Sequence, residues 1–320
     1  MDKKVAFLGI DTSCYTTSVA IVNEKFEVVT QARRLLKVKA GKRGLSQSEM
    51  LYQHVRNLPE LIMSVRQEYA GKIDVIGVSD VPRRREDSYM PAFLAGLGTA
   101  RSLASILRVP LHCFSHQENH VFAAIRDYPE LWQEPLYMLH LSGGTTDWLE
   151  VKWKTEGLAI TELATSDDIS AGQLIDRIGV MLGLPFPAGP SLEKLAQQGR
   201  LSYRLSLPRR LDSLSFAGAE TQLRKVYEAG DLSKQDLAVS VFDYICRILA
   251  RTAERLNFEQ GRPFIAVGGV FANMYLRNEF SEILKNCHLR PFLAAPEYSS
   301  DNATGNAFAA MRYQLCAFKQ

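Results

Sequence analysis

No apolar run in the chain approaches the roughly 18 residues that a membrane-crossing helix needs, so a transmembrane protein is not expected. Cysteine is sparse: Cys14, Cys113, Cys246, Cys287 and Cys316 are scattered, odd in number and form no CxxC pair. That pattern argues against a disulfide scaffold and favours free thiols in a reducing compartment, hence a cytoplasmic protein. The N-terminus runs from Met1-Asp2-Lys3-Lys4 straight into a strand-like stretch, so no signal peptide is expected. Low-complexity tracts are lacking, and the net charge is only +3, too small to require a nucleic-acid partner but compatible with a local basic patch. What is present is globular: 46% hydrophobic and 23% charged residues over 320 positions. At roughly 150 residues per domain, that length predicts two domains.

Apolar runs at 5–10 and 18–22, joined by Asp11-Thr12-Ser13, predict two adjacent strands, with a possible third at 28–31. Helical spacing covers 48–69 (Leu51, Val55, Leu58, Leu61, Ile62, Val65), with a bend expected at Pro59. A strand at 75–79, a small-residue helix at 91–107, a strand at 111–114 and a helix at 116–125 complete a first lobe, assigned to 1–134. The pattern then restarts with an apolar run at 136–141, the turn Ser142-Gly143-Gly144-Thr145-Thr146-Asp147 and a second run at 148–151. Helices follow at 171–182, 191–198 and 234–256, a strand at 264–267 and helices at 273–284 and 303–315. Two strand–turn–strand openings, each followed by helices, predict an α/β duplication, with the second lobe at 135–320.

A bound phosphate needs converging backbone N–H groups without intervening side chains, and hydroxyls beside them. Ser142-Gly143-Gly144-Thr145 offers this between two strands, and Gly268-Gly269 offers it again between a buried strand and a helix. Each is equally readable as a tight structural turn; with Asp11-Thr12-Ser13, the three together favour a nucleotide. Asp11 follows a buried strand, where its carboxylate suits a metal or metal-bound water, or a turn cap. Asp176 suits a ribose hydroxyl, or the polar face of its helix.

His116 and His120 lie four residues apart on one helical face, the spacing of a Zn or Fe chelate, although solvated or capping histidines show the same spacing. Asp301, before the last helix, is the best third ligand. Glu118 falls roughly 180° around the helix from His116, whereas the HExxH glutamate falls roughly 80° around, so metalloprotease chemistry is disfavoured.

In this order the motifs resemble the TsaD/Gcp family of threonylcarbamoyl-transferring tRNA-modification enzymes, once labelled glycoproteases. The resemblance is carried by Gly9-Ile10-Asp11-Thr12-Ser13-Cys14, the His116/His120 pair and Leu141-Ser142-Gly143-Gly144. It continues through Ala171-Gly172 to Asp176, Pro187-Ala188-Gly189-Pro190, Ser215-Phe216-Ala217-Gly218 with Thr221, Gly268-Gly269-Val270-Phe271-Ala272-Asn273 with Leu276-Arg277, and Ser300-Asp301-Asn302-Ala303. It implies a two-lobed actin-like ATPase (ASKHA, RNase H-like duplicated) fold and a divalent Fe or Zn held by His116, His120 and Asp301. It also implies an adenine nucleotide: ATP, AMP or threonylcarbamoyl-adenylate. Together with the turns, it places Thr12, Ser13, Leu141, Ser142, Gly143, Gly144, Thr145, Asp176, Gly189, Gly268, Gly269 and Asn273 at the nucleotide, with Asp11 catalytic beside the phosphates. The implied reaction passes threonylcarbamoyl to a tRNA adenosine beside the anticodon. The implied partners are tRNA and accessory subunits, a TsaB-like paralogue and a P-loop ATPase.

Departures from the family pattern lie elsewhere. Cys-Asp-Glu-Thr becomes Cys14-Tyr15-Thr16-Thr17, Ser-Gly-Gly-His-Thr becomes Ser142-Gly143-Gly144-Thr145-Thr146, and Asp-Lys becomes Asp176-Arg177. The segment ahead of His54 is replaced by Gly41-Lys42-Arg43-Gly44-Leu45-Ser46-Gln47-Ser48-Glu49, and the Thr-x-Gly-Pro-Gly turn by Val81-Pro82-Arg83-Arg84-Arg85-Glu86-Asp87. A divergent paralogue with a small-molecule or protein acceptor, and a nucleotide-binding assembly scaffold, therefore stand as alternatives. The cations at 37–43 and 83–85 read either as a basic rim for RNA phosphates or as two solvated loops.

Overall fold

The structure is a computed structural model that describes residues 5–39, 44–154, 157–294 and 296–317, without the side chains of 296, 297 and 315–317. Readings that fall on residues 1–4 and 40–43 and on the Cys316 side chain lie outside these. Two compact units form. The first comprises Met1–Lys37, Gly44–Pro129 and Asp301–Gln320, the second Val38–Arg43 and Glu130–Ser300.

The first unit is built on β1 (Ala6–Asp11), β2 (Thr16–Asn23), β3 (Val28–Leu35), β4 (Val75–Val81) and β5 (Leu111–Ser115), in the sheet order β3-β2-β1-β4-β5. β1 and β2 are antiparallel, with Asp11 opposite Ser18, while β4 runs parallel to β1 and β5 parallel to β4. β1 is buried along its whole length, which is why it reads as a continuous apolar run rather than an alternation. α1 (Gln47–Glu68) starts at Ser46, whose side chain accepts the Glu49 N–H, and buries Met50, His54, Leu58, Leu61 and Val65. Pro59 lies inside this helix. α2 (Phe93–Leu107) and α3 (His116–Ile125) follow β4 and β5.

The last helix, α10 (Thr304–Ala317), corrects the boundary drawn from sequence, because residues 301–320 join the first unit rather than the second. The physical reason is glycine. A Cβ at Gly9 would overlap the Ala303 carbonyl oxygen, one at Gly77 that of Asn306, and one at Gly305 that of Asn119, so α10 lies directly on β1, β4 and α3. Asn306 Nδ2 then donates to the Ile10 carbonyl at 2.8 Å and the Ser79 hydroxyl at 2.9 Å.

The second unit repeats the plan with β6 (Leu136–Leu141), β7 (Thr146–Lys154), β8 (Gly157–Thr165), β9 (Pro263–Val267) and β10 (Arg290–Leu293), ordered β10-β9-β6-β7-β8. Again the first three strands are antiparallel, and the fourth and fifth add in parallel beside the first. Four helices separate β8 from β9: α4 (Ala171–Met181), α5 (Gly189–Ala196), α6 (Ala217–Glu228) and α7 (Lys234–Leu256). α8 (Met274–Asn286) links β9 to β10, and α9 (Pro296–Ser299) follows. The core of this unit includes Trp148, Leu174, Ile178, Val241, Ile248, Phe264 and Phe280. β8, β10 and α6 lie outside the elements expected from sequence. Among the described residues, no helix is long and apolar enough to cross a membrane.

Gly77→Ala should destabilise the protein by about 1–3 kcal/mol, read as a lower denaturation midpoint at unchanged slope. Gly98→Ala on α2, where an added Cβ meets nothing within 4 Å, should be neutral or stabilising.

Candidate metal centre and phosphate turns

α3 begins on the residue that follows β5. Ser115 caps it, accepting the Glu118 N–H at 3.2 Å, while Glu118 Oε2 accepts from the Ser115 N–H at 2.6 Å and its hydroxyl at 2.8 Å. Arg84 Nε adds a bond to the same oxygen at 3.1 Å. Glu118 is thereby committed to the helix start and turned away from the histidine face.

One turn of α3 separates His116 from His120, and their rings stand 4.4 Å apart with the two Nε2 atoms 3.0 Å from each other. Asp301 Oδ1 lies 3.4 Å from each of those nitrogens. Donors bound tetrahedrally at about 2.0–2.1 Å from a cation stand about 3.4 Å from one another. The observed spacings of 3.0 to 3.4 Å therefore fit a cation, and the imidazole–carboxylate set suits Zn or Fe.

Asp301 is held from the residues after it. Asn119 Nδ2 donates to the Asn302 carbonyl at 2.7 Å, and the Ala303 N–H donates to the Ser18 hydroxyl at 2.8 Å.

Asp11 stands behind His116, with its Oδ1 3.6 Å from Nδ1, while its Oδ2 accepts the Ser13 hydroxyl at 2.6 Å. Burial alone would lower the His116 pKa; the Asp11 charge, then hydrogen bonds to Asp11 and Asp301, outweigh burial and carry it up to about 10. His120 is pushed down, first by burial and then by the His116 charge. Burial would raise the Asp301 carboxyl, but its bonds to both histidines hold it well below the usual range.

The neighbouring turn residues are otherwise engaged. The Thr12 hydroxyl donates to the Ala92 carbonyl at 3.0 Å and accepts the Gly96 N–H at 3.1 Å, so its single proton ties down α2. Ser13 is bonded to Asp11. Both were expected at the nucleotide, and both have an internal hydrogen-bond partner. Cys14 is no activated thiol: burial, then the Asp301 and Asp11 charges, push it up to about 12. His54 was not singled out from sequence. It is fully buried, with Nδ1 2.9 Å from the Thr17 hydroxyl and Nε2 3.2 Å from the Cys14 carbonyl. Its place in the row 50, 54, 58, 61, 65 on the inner face of α1 was the available signal.

In the second unit, the turn after β6 is folded onto its own serine. Ser142 Oγ accepts the Gly144 and Thr145 N–H groups at 3.2 and 3.1 Å, and Thr145 Oγ1 lies 3.1 Å from His140 Nδ1. Leu141 is a fully buried core residue, so its contribution is backbone only. Gly268 has φ +107°, and a Cβ there would overlap the Leu141 carbonyl oxygen, which places the two predicted glycine turns side by side. An added Cβ at Gly143, Gly189 or Gly269 meets nothing within 4 Å. Asn273 caps α8 by accepting the Leu276 N–H at 2.9 Å, and its buried Nδ2 has no hydrogen-bond partner among the described residues. Asp176 Oδ1 accepts the Ala188 N–H at 2.7 Å, one residue ahead of Gly189, and burial pushes its carboxyl up to about 6.

Much of the expected basic rim is neutralised. Arg84 binds Glu118, Asp80 Oδ1 at 2.9 Å and the Cys113 carbonyl at 2.7 Å, and Arg85 pairs with Asp87 at 3.0 Å. Residues 40–43 lie outside those described.

Residues 49–308 match the model of the TsaD family, tRNA N6-adenosine threonylcarbamoyltransferase. A tRNA N6-adenosine threonylcarbamoyltransferase of Carboxydothermus hydrogenoformans is 31% identical over 317 residues, covering 96% of this chain and 92% of that protein. Two solved structures share the fold. Component A of the Acidaminococcus fermentans (R)-2-hydroxyglutaryl-CoA dehydratase has a TM-score of 0.59 at 14% identity, covering 97% of this chain and 99% of that one. A ROK family glucokinase from Streptomyces griseus has a TM-score of 0.55 at 11% identity, covering 95% and 98%. The duplicated sheets are those of the actin-like ATPase fold, and the chain belongs to the TsaD family of tRNA N6-adenosine threonylcarbamoyltransferases, a family of transferase enzymes.

Proposed function

We propose that this chain transfers a threonylcarbamoyl group from threonylcarbamoyl-adenylate to N6 of a tRNA adenosine beside the anticodon, with a divalent Fe or Zn held by His116, His120 and Asp301. The observation that carries this reading is the convergence of two imidazole nitrogens and one carboxylate oxygen at 3.0–3.4 Å. In the transfer, the N6 amine adds to the carbamoyl carbonyl, the bond from that carbon to the phosphate oxygen breaks, AMP departs and the amine loses one proton. The cation supplies Lewis-acid polarisation and a template for the donor's oxygens. Asp11 fixes the His116 ring from behind, so its role is to position a ligand rather than to touch phosphate.

In the second unit, Gly143 and Gly269 leave room for phosphate oxygens to approach backbone, and the buried Asn273 Nδ2 is a donor in want of an acceptor. Asp176 beside Gly189 takes a ribose hydroxyl. A separate enzyme must supply the adenylate, and accessory subunits complete the system. A paralogous transferase with a different acceptor is favoured by one observation: at 81–87, Arg84 is committed to Glu118 and Asp80.

Purified protein given threonylcarbamoyl-adenylate labelled in the threonine, together with unmodified tRNA, should place label on adenosine; label retained in released threonine with none in tRNA would reject this acceptor. His120→Ala should lower bound Fe or Zn to less than about a tenth per chain, and Asp11→Asn should weaken metal affinity by roughly 10- to 100-fold, both read by elemental analysis after dialysis against graded chelator.

For Asp176, the folded-state pKa of about 6 lies above the ordinary 3.8, so the native chain keeps a proton that the unfolded chain has released. Stability therefore falls as pH rises through that window, and the loss is complete above about 6. Asp176→Asn, which still accepts the Ala188 N–H, should be more stable than wild type by about 1–2 kcal/mol at pH 7 and equal to it below pH 4, on the basis of about 1.4 kcal/mol per unit reduced for partial exposure. The same variant should bind AMP roughly tenfold more weakly, measured by calorimetry, as a hydrogen bond to a charged acceptor is lost.

A further inference from the structure

Between α5 and α6, residues 200–214 form no helix or strand, yet the segment is held at close intervals against α7. Asp236 accepts the Arg200 N–H at 3.0 Å and the Ser202 hydroxyl at 2.8 Å, and the Ser240 hydroxyl donates to the Tyr203 carbonyl at 2.7 Å. Arg247 donates to the Leu205 carbonyl at 2.6 Å, while Arg251 reaches the carbonyls of Pro208 at 2.7 Å and Ser213 at 2.9 Å. Two buried-side guanidiniums on three carbonyls make this a fixed strap rather than a loose loop.

The side chains the strap turns to solvent include four arginines among leucines and serines. Arg200, Arg204, Arg209 and Arg210 are exposed, and Asp212 is the one acidic residue of 200–213, so four positive charges less one negative leave +3. The whole chain carries +3, which leaves everything outside these fourteen residues neutral in sum. Internal pairing does not cancel the charge. Arg204 shares Asp243 with Arg247, at 3.5 and 2.7 Å, so two cations meet one carboxylate. The Arg210–Asp212 pair is exposed and exchanges readily for a phosphate.

The far end of the strap is tied to the phosphate turn of its own unit. Ser213 donates to Asp167 and Ser215 to Asp168, both at 2.5 Å. Three residues on, the Ser170 hydroxyl donates to the Gly143 carbonyl at 3.1 Å, and an added Cβ at Gly172 would overlap the Ser142 carbonyl oxygen.

We propose that the strap at 200–213 is a docking surface for the sugar–phosphate backbone of tRNA, fixed by hydrogen bonds to the same frame as the Ser142-Gly143-Gly144 turn. It rests on the tRNA-acceptor reading above and places RNA recognition where neither the 37–43 nor the 83–85 cluster lies. Five residues of chain reach at most about 17 Å, so Arg204 and Arg209 lie close enough to meet phosphates of one RNA backbone segment.

The test is tRNA binding by fluorescence anisotropy from 50 to 300 mM salt, with unmodified tRNA as probe and calorimetric AMP affinity as the control. Arg204→Ala/Arg209→Ala/Arg210→Ala protein should bind about 10- to 100-fold more weakly, with a salt slope shallower by about 2 and AMP affinity unchanged. Arg209→Ala/Arg210→Ala protein should show a smaller loss in the same direction. Equal affinity and equal slope for wild type and both variants would overturn the strap assignment alone. Wild type that binds AMP but not tRNA would overturn the acceptor reading with it. Polyglutamate competing as strongly as tRNA would reduce the surface to a nonspecific cation patch and overturn its assignment to RNA.

Discussion

Two imidazoles and two carboxylates, all buried or nearly so, share one small volume, and the first unit is built around holding them there. Left to water, Asp11, His116, His120 and Asp301 would separate and be solvated; buried, they must neutralise one another or a cation. The distances show how the fold enforces the arrangement. α3 starts on His116 because Ser115 and Glu118 close a capping box at the last residue of β5, which fixes both histidines relative to the sheet. Asp301 comes from the other end of the chain and is brought in because α10 rests on glycine backbone at positions 9, 77 and 305. Tight helix-on-sheet packing and the geometry of this cluster are therefore one constraint: a methyl group at any of those glycines would lift α10 and carry Asp301 with it.

The two units apply one topology to different chemistry. Each opens with an antiparallel pair whose turn follows a buried strand, yet the turns differ in side chains. At 11–13 the turn bears Asp, Thr and Ser, and all three face internal partners: Asp11 lies 3.6 Å from His116, Thr12 bonds to α2 and Ser13 to Asp11. At 142–145 it bears two glycines, and the amides of Gly144 and Thr145 rest on the Ser142 hydroxyl. That hydroxyl occupies the amides as an anion's oxygen would. A turn rich in side chains positions ligands, while a bare turn leaves backbone for a substrate.

How much of this was legible follows from the range of the interactions. The α7 boundaries at 234 and 256 and the α3 boundaries at 116 and 125 could be read closely because caps and apolar spacing are local. The His116/His120 pair was legible from its spacing and Asp301 from its place before the last helix, and the resemblance joined the three, although nothing near position 301 signals where its carboxylate points. β8 was missed because its residues are half-buried and give no clean alternation, and β10 because four residues with a proline carry almost no pattern. α6 buries only Ala219, Glu220 and Leu223, too few for a helical stripe to stand out. The reach of α10 back into the first unit rests on glycine contacts some 190–300 positions apart in sequence, which no local window contains. The partners of Thr12 and Ser13, namely Ala92, Gly96 and the Asp11 carboxylate, were illegible for a related reason, because tertiary packing sets them.

The segment 81–87 departs most from the family's glycine–proline turn, and its arginine shows what such a departure does physically. Glu118 is a nearly buried carboxylate at a helix start, where its Oε2 accepts two bonds from Ser115. Arg84 completes that environment, bridging Glu118 and Asp80 and capping the Cys113 carbonyl of β5. One guanidinium thus joins β4, β5 and α3 at the base of the histidine pair. This clamp ties down the helix that presents both imidazoles. Sequence divergence at this loop is therefore compatible with the close approach of His116, His120 and Asp301.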